Sequence, residues 1–579
     1  MKEHLNRKCN IYQSAFISIV SALGVLLFVL LKFGGGGYET NDDRIINEIF
    51  SGAMTGRPEP HAIYINYLIG IFLSGLYSIT TAVPWYGIFL LSCYVLINSA
   101  VLTILLNKGR TIKEQAWLWL LGMFVILCNL YVFSVLQYTT ISGALAVAGY
   151  VWFILDDKKK RSYSIFGLFE LLSVLLRRDA MLMVQPIGMC VVGAFLLTKW
   201  MKGSMKLKEC IAEVGKIFIT LAVVITVFFI GNNVIGDYSS TEWKRYKEYN
   251  DLRTQLVDYY GYPEYEECKD ILDKYAVSEL EYYAVRRYYL LDNVLENECM
   301  EELIPIASAQ YKEKYPVTIV GILKRMVNYF RYDKCFGYEI AVPAMYILVS
   351  LLLVLCKKWK EILTVIALAG SRYMVFAYLL IKGRAPYRVV NVLFFAELFL
   401  LLAILVKSFL ESGEEFKKGI KAKCAMTVVL AAILPLAISS SYKEAKINNE
   451  LNKNYEAAIK KLFDYMEEKE GGFVVCNEVT TYSRGTALDA KRYQGQNSLV
   501  AGGWFYYSPM MNDAIENYKQ KYSDNMYCVV FKDVPGFDHS YVLEILAQKY
   551  NVTLELEDTL HLEELKLSYE VYKLEGGMR

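Results

Sequence analysis

The sequence predicts an α-helical polytopic membrane protein of about eleven transmembrane helices, with an extracytoplasmic helical insert and a small C-terminal α/β domain. Three observations predict it. More than half of the 579 residues are hydrophobic, and they gather in runs near the ~20 residues that carry a helix across a bilayer. Lysine and arginine cluster in a subset of the loops between those runs. Beyond residue 440 the apolar runs stop, and short helix and strand patterns alternate.

The N-terminal stretch Met1–Asn10 carries Lys2, Arg7 and Lys8, and the apolar run Ile11–Leu31 follows. That run is too long for a signal-peptide core, and no A-x-A-like site follows it, so it is expected to be a signal anchor that starts in the cytoplasm. Further apolar runs fall at about 62–80, 84–106, 116–136, 138–155, 163–176, 180–198, 211–231, 341–356, 361–381, 389–406 and 425–440. Basic clusters sit at Lys108/Arg110/Lys113, Lys158–Arg161, Lys199/Lys202/Lys206/Lys208, Lys357/Lys358/Lys360 and Lys407/Lys417/Lys418/Lys421/Lys423. If 62–80 crosses the membrane, every one of them falls outside. If 62–80 lies along the outer surface, every one falls inside with the N-terminus. The second arrangement gives eleven spans. It puts the loop 34–83, the insert 232–340 and the tail 441–579 outside, and divides the chain into a transmembrane domain, 1–440, and an extracytoplasmic domain, 441–579.

In the first outside loop, Gly34–Gly37 are expected to act as a hinge rather than a phosphate cradle, since no P-loop or Rossmann pattern surrounds them. Thr40 or Asn41 caps a short helix from near Asp42 to about Ser51, with its acids at the positive end; Gly56 and Pro58 then break it. The insert holds seventeen tyrosines among many charges and is expected to form a small helical lid. Its rings suit an aromatic belt, and equally stacking on sugar rings. In the tail, 443–469 is a polar helix, 473–476 and 527–533 are strands, 539–550 is a helix, and two strands close the chain. Cys476 and Cys528 fall in adjacent strand candidates, and whether they pair is open.

A net charge of +2 points to no polyanionic partner, so nucleic acid is not expected. The cysteines form no C-x-x-C pair, and the four histidines no H-E-x-x-H, so neither a zinc or redox motif nor a metalloprotease has support.

Asp42 and Asp43 stand just past the first span. A carboxylate there can act as general base toward a hydroxyl or hold a divalent metal, Mg or Mn, with Asp43 the candidate ligand; helix capping is the bland alternative. Glu39, Arg57 and His61 of the same loop are further substrate-binding candidates. The turn Gln137-Tyr138-Thr139-Thr140 brings hydroxyls to the same face, making Tyr138 and Thr139 candidates too. Lys382, Arg384 and Arg388 in KGRAPYR break the positive-inside pattern. They suit an anionic group at the outer face, either the phosphate of a lipid carrier or a membrane lipid headgroup. Arg177, Arg178 and Asp179 form a second outside cluster, with Arg178 a phosphate candidate and Arg177 a substrate contact or one half of an Arg177/Asp179 pair. Within the membrane, Arg372 and Glu397 fall at similar depth on successive spans and are expected to pair. Glu170 is expected to face a polar cavity.

Together these features resemble the GT-C superfamily of membrane glycosyltransferases. The likeness rests on Asp42-Asp43 in the first outside loop, the surface helix after it, G-R-x-P-x-R at 383–388 and an extracytoplasmic C-terminal domain. Y-N-D-L-R-T-Q-L-V-D-Y at 249–259 and G-G-W-F-Y-Y-S-P at 502–509 resemble uncharacterised bacterial members. The resemblance implies a GT-C-like fold and transfer of a sugar from a polyprenyl-phosphate carrier to a glycan, lipid or protein acceptor outside the cell membrane. It implies that Asp42 or Asp43 is the base or metal ligand, and that Arg384 or Arg388 meets the donor phosphate. The E/D-x-D spacing usual in that family is present only loosely, as Asn41-Asp42-Asp43, which leaves the metal and the choice of acid open. A transporter or flippase for lipid-linked sugars, or a polysaccharide polymerase, are the competing expectations.

Overall fold

Apolar helices hide their backbone polar groups internally and need only lipid or one another as surroundings; the chain is built mostly of such pieces. The computed structural model describes residues 9–33, 37–286, 294–332, 337–410, 420–476, 484–488, 497–532, 540–563 and 565–576. Gly34–Gly36 of the expected hinge and the basic Lys417 and Lys418 lie outside them.

Helix α1 (Ile11–Phe33) is followed by strand β1 (Gly37–Tyr38) and helices α2 (Asn41–Ser51) and α3 (Tyr67–Ile79). Next come α4 (Trp85–Lys108), α5 (Ile112–Cys128), the short α6 (Leu130–Ser134) and strand β2 (Val135–Leu136). Four helices then run back and forth: α7 (Tyr138–Leu155), α8 (Lys159–Leu176), α9 (Arg178–Met201) and α10 (Leu207–Phe229). The insert contains α11 (Thr241–Thr254), α12 (Tyr265–Lys274), α13 (Glu279–Arg286), α14 (Asn297–Lys314) and α15 (Ile319–Tyr332). The bundle resumes with α16 (Tyr338–Leu355), α17 (Ile362–Ile381) and α18 (Tyr387–Leu410), and α19 (Ile420–Glu468) leads into the tail.

Among the described residues, eight helices are long and apolar enough to cross a membrane: α1, α4, α7, α9, α10 with its π-helical continuation to Ile235, α16, α17 and α18. The protein is therefore membrane-embedded. Three of the eleven expected spans do not meet that measure. α5 has only 17 residues and stops at Asn129, whose side chain turns back to donate to the Val125 carbonyl at 2.6 Å. α8 carries Lys159, Lys160, Arg161 and Glu170. The run 425–440 is the first part of α19, a single helix of 49 residues, so the domain boundary expected at residue 440 falls inside one rod. The segment 62–80 contains only a 13-residue helix, α3, about 20 Å long at 1.5 Å per residue and too short to cross.

α7 and α18 are almost wholly enclosed and form the centre of the bundle. Gly143 lets them touch, since a Cβ there would fall 2.3 Å from a Val392 methyl. The basic loops meet at one end. Asp157 bridges Lys108 and Lys407 at 2.5 and 3.1 Å, Lys202 pairs with Glu361, and Lys358 and Lys360 donate to the Ser408 and Met201 carbonyls. Loop 37–84, the turn at 135–140, Arg177, loop 382–388 and the C-terminal domain gather at the opposite end, called here the site end.

The C-terminal domain is a five-stranded sheet in the order β4-β3-β5-β7-β6. It comprises β3 (Gly472–Cys476), β4 (Ser498–Ala501), β5 (Met526–Lys532), β6 (Thr553–Leu562) and β7 (Leu567–Glu575), with α20 (Pro509–Tyr522) and α21 (Ser540–Tyr550). β4 and α20 are additions to the expected pattern, and Cys476 and Cys528 are buried free thiols rather than a disulfide. The domain is wedged against the bundle. The Tyr38 N–H donates to the Gly485 carbonyl at 3.2 Å, and a Cβ on Gly87 of α4 would fall 1.8 Å from the Ala487 carbonyl oxygen.

The expected intramembrane pair is present. Arg372 Nε donates to Glu397 Oε2 at 3.0 Å, with both side chains shut off from solvent, and the Tyr346 hydroxyl donates to Glu397 Oε1. Glu170, expected at a polar cavity, instead accepts from Gln185 at 2.8 Å within the bundle. Leaving one partner of a buried pair alone costs about 3–5 kcal/mol, whereas replacing both by apolar groups is often neutral. Arg372→Met is therefore expected to lower the unfolding temperature in detergent markedly, and Arg372→Met with Glu397→Leu to recover most of the loss.

Candidate active site

The first loop is sewn to the bundle by a two-residue parallel ladder, Gly37 opposite Val135 and Tyr38 opposite Leu136. The Glu39 N–H continues it to the Leu136 carbonyl at 2.9 Å. Thr40, extended at φ −133°, then starts α2, and Gly52, left-handed at φ 82°, ends it. Ile45, Ile46, Ile49 and Phe50 bury the inner face of α2. The helix spans the expected residues, but Thr40 takes the N-cap position without a side-chain hydrogen bond to the helix amides, and Gly52 rather than Gly56 stops it.

Asp42 and Asp43 are neighbours in sequence, but ~100° of helical turn sends them different ways. Asp43 is fully buried. Its Oδ1 accepts the Tyr86 hydroxyl at 2.9 Å and the Tyr138 N–H at 3.0 Å. Tyr138 opens α7, and Gln137 Oε1 accepts the next two N–H groups, of Thr139 and Thr140. Asp43 and Gln137 together satisfy the free donors at the start of α7. Asp43 is thus a cap, though for a distant helix rather than its own. Burial pushes its carboxyl well above the usual carboxylate range, Asp42 and Glu39 push the same way, and the two donors oppose them.

Asp42 is partly open to solvent. Its Oδ1 accepts Trp504 Nε1–H at 3.1 Å, and its Oδ2 lies 3.7 Å from Arg388 Nη2. Trp504 follows Gly502 and Gly503, left-handed at φ 96° and 92°, conformations that glycine adopts without strain. The Trp504 carbonyl is held by the Tyr246 hydroxyl of the insert. The Trp504 ring lies 4.7 Å from that of Tyr64, which stacks on Tyr138 at 6.4 Å. The Arg177 guanidinium stands over both tyrosines, at 4.5 and 5.7 Å, and 3.5 Å from Asp179. The Thr140 hydroxyl donates to the Arg388 carbonyl at 3.0 Å. One partly open acid, two arginines and three aromatic rings therefore converge from five separate parts of the chain.

The other candidates sit around this group or away from it. Glu39 is buried, and burial raises its carboxyl to about 7 against the pull of Arg388 and Arg484. Thr139 is buried at the α7 cap. Arg384 is tied to Asp258 in an ion pair. Arg178 contacts Asp179 at 3.0 Å and lies over Phe228. Lys382 is exposed above the Tyr378 ring. Arg57 is exposed, and its charge acts on Glu59. His61 places Nδ1 2.5 Å from Glu59 and Nε2 2.9 Å from the Gly236 carbonyl, with its ring stacked on Trp243. It fastens the first loop to the insert.

The donor set fits a divalent cation poorly. Asp43 Oδ1 already accepts two hydrogen bonds, and Arg388 faces Asp42. Sequence reasoning did not place Trp504, Tyr64, Tyr86, Asp258 or Arg484 in this region. Trp504 carried a signal in the paired glycines before it; the others carried none, because only tertiary contact brings them here.

Compared with family models, curated proteins and solved structures, the chain matches none of them.

Leaving a buried donor unsatisfied costs about 1–3 kcal/mol. Asp43→Ala is expected to lose that amount in unfolding experiments, and Asp43→Asn, which still offers an acceptor, to lose less. Glu39 titrates higher in the folded state than the ordinary 4.5. Its contribution to stability is therefore complete below pH 4.5 and lost as pH rises through about 7. Glu39→Gln should gain stability relative to the native chain across that window and level off above it. A difference independent of pH would show that Glu39 does not titrate there.

Proposed function

We propose that the protein is a polytopic membrane glycosyltransferase of the GT-C type, moving a sugar from a polyprenyl-phosphate carrier to an extracytoplasmic glycan, lipid or protein. Eleven spans, a cytoplasmic basic end and an extracytoplasmic site end complete the proposal. The convergence of the basic loops at one end supports that orientation. The observation that carries the proposal is Asp42, partly open, oriented by Trp504 and standing 3.7 Å from Arg388 at the site end of the bundle.

In this mechanism Asp42 takes the proton of the acceptor hydroxyl, and the oxygen attacks the anomeric carbon. The bond from that carbon to the carrier phosphate breaks on the opposite face, so the anomeric centre inverts. Arg388 and Arg177 receive the charge that grows on the departing phosphate. Arg384 can join them only when its pair with Asp258 opens. Asp43 has a positioning role, because its oxygen is occupied by the cap of α7. No step is routed through a metal. A flippase has less support: the intramembrane charges Arg372 and Glu397 pair with each other, and Glu170 accepts from Gln185.

General-base catalysis contributes about 10²–10⁴-fold. Asp42→Asn is expected to lower transfer by that factor in nanodiscs supplied with a panel of polyprenyl-phosphate sugars, read as polyprenyl phosphate released. Asp43→Asn should keep activity within about tenfold of the native protein, and Arg388→Ala should lose about 10²–10³-fold. Full activity in Asp42→Asn would remove the base assignment. Unchanged cell-surface glycans in cells lacking the protein would count against the transferase proposal itself.

A further inference from the structure

One helix of the insert departs from the rest. α15 runs antiparallel beside α17: Arg325 donates to the Leu380 carbonyl at 2.7 Å, and one turn later Tyr329 meets Phe376 at 5.2 Å. The next residue, Phe330, reaches Phe376, Phe394 and the Arg372 guanidinium, the last at 5.5 Å. Arg372 lies nine residues before the end of α17 at Ile381, roughly 13 Å at 1.5 Å per residue. The last turn of α15 thus descends to the depth of the intramembrane ion pair.

The rest of the helix carries an apolar stripe turned away from the protein. Ile319, Val320, Leu323 and Val327 are 79, 76, 55 and 62% exposed, and their spacing places them on one face. Met374 and Tyr378 of the adjacent α17, a helix long and apolar enough to cross the membrane, are also exposed. Facing water, such a patch would be costly; facing hydrocarbon, it is at home. Phe330 also helps close the aromatic box around Arg372, whose Nη1 and Nη2 meet no hydrogen-bond acceptor among the described residues.

We infer that α15 is a half-membrane helix. It dips into the leaflet at the site end, sets its Ile319–Val327 face against lipid acyl chains, and anchors the insert to the bilayer. Its backbone bonds internally, as a hydrocarbon setting requires. The insert is then a membrane-docked element rather than a free lid.

The test uses the full chain in nanodiscs of palmitoyl-oleoyl phosphatidylglycerol, with the photoreactive residue benzoylphenylalanine placed at Leu323 or Val327. Both positions are exposed, so the probe meets no packed neighbour. Phospholipid adducts on the peptide containing the probe are expected by mass spectrometry, as at Met374 on α17. None is expected at Glu313, which is exposed between Lys312 and Lys314 on α14. Adducts at Met374 but none at Leu323 or Val327, or adducts there to protein instead of lipid, would overturn the inference. If Met374 also gave none, the bilayer seat of the bundle would fall with it.

Discussion

The organisation of the site end depends on one buried carboxylate. Asp43 reaches across the fold to the first N–H of α7 and to the Tyr86 hydroxyl on α4. An amide at the start of an enclosed helix has no water to bond, so an acceptor must come from elsewhere in the chain. Meeting that need fixes where α2 begins relative to α4 and α7. The neighbouring acid is then directed toward Trp504 and Arg388. The two acids divide the labour: one satisfies the scaffold, and the other is left available.

Much of the architecture was legible because bilayer physics acts on short-range sequence features. A count of apolar residues located the long helices, and the basic clusters grouped the loops that meet at Asp157, Glu361 and Ser408. The sidedness of those basic clusters demoted 62–80, and α3 is too short to cross. The Arg372–Glu397 pair was legible for a related reason: two intramembrane charges of opposite sign at one depth have few other ways to be satisfied. What the pattern could not supply was continuity through residue 440. A polar helix following an apolar one looks like two elements, and only the structure shows a single helix.

The candidate site was legible in its charges and opaque in its partners. Asp42, Arg177, Arg388 and Tyr138 stood out because charged and polar groups between apolar runs are conspicuous. His61 and Arg57 stood out for the same reason, but packing uses one as a clasp and leaves the other at the surface. Trp504 and Tyr64 were missed because an aromatic residue in a mixed segment reads equally as core, belt or binding surface. Their roles follow from contacts across hundreds of residues, which no local periodicity encodes.

The junction of Trp504 with Asp42 has a consequence for biosynthesis. The acid leaves the ribosome 462 residues before the indole, with the bundle helices that follow α1 translated between them. A nascent chain can therefore insert its helices and bury Asp43 while Asp42 still lacks the donor that orients it. On the proposed function, the chemistry stays dormant until the final domain has been exported and folded against the first loop, so a stalled or truncated chain would be an inert membrane protein rather than a misdirected catalyst.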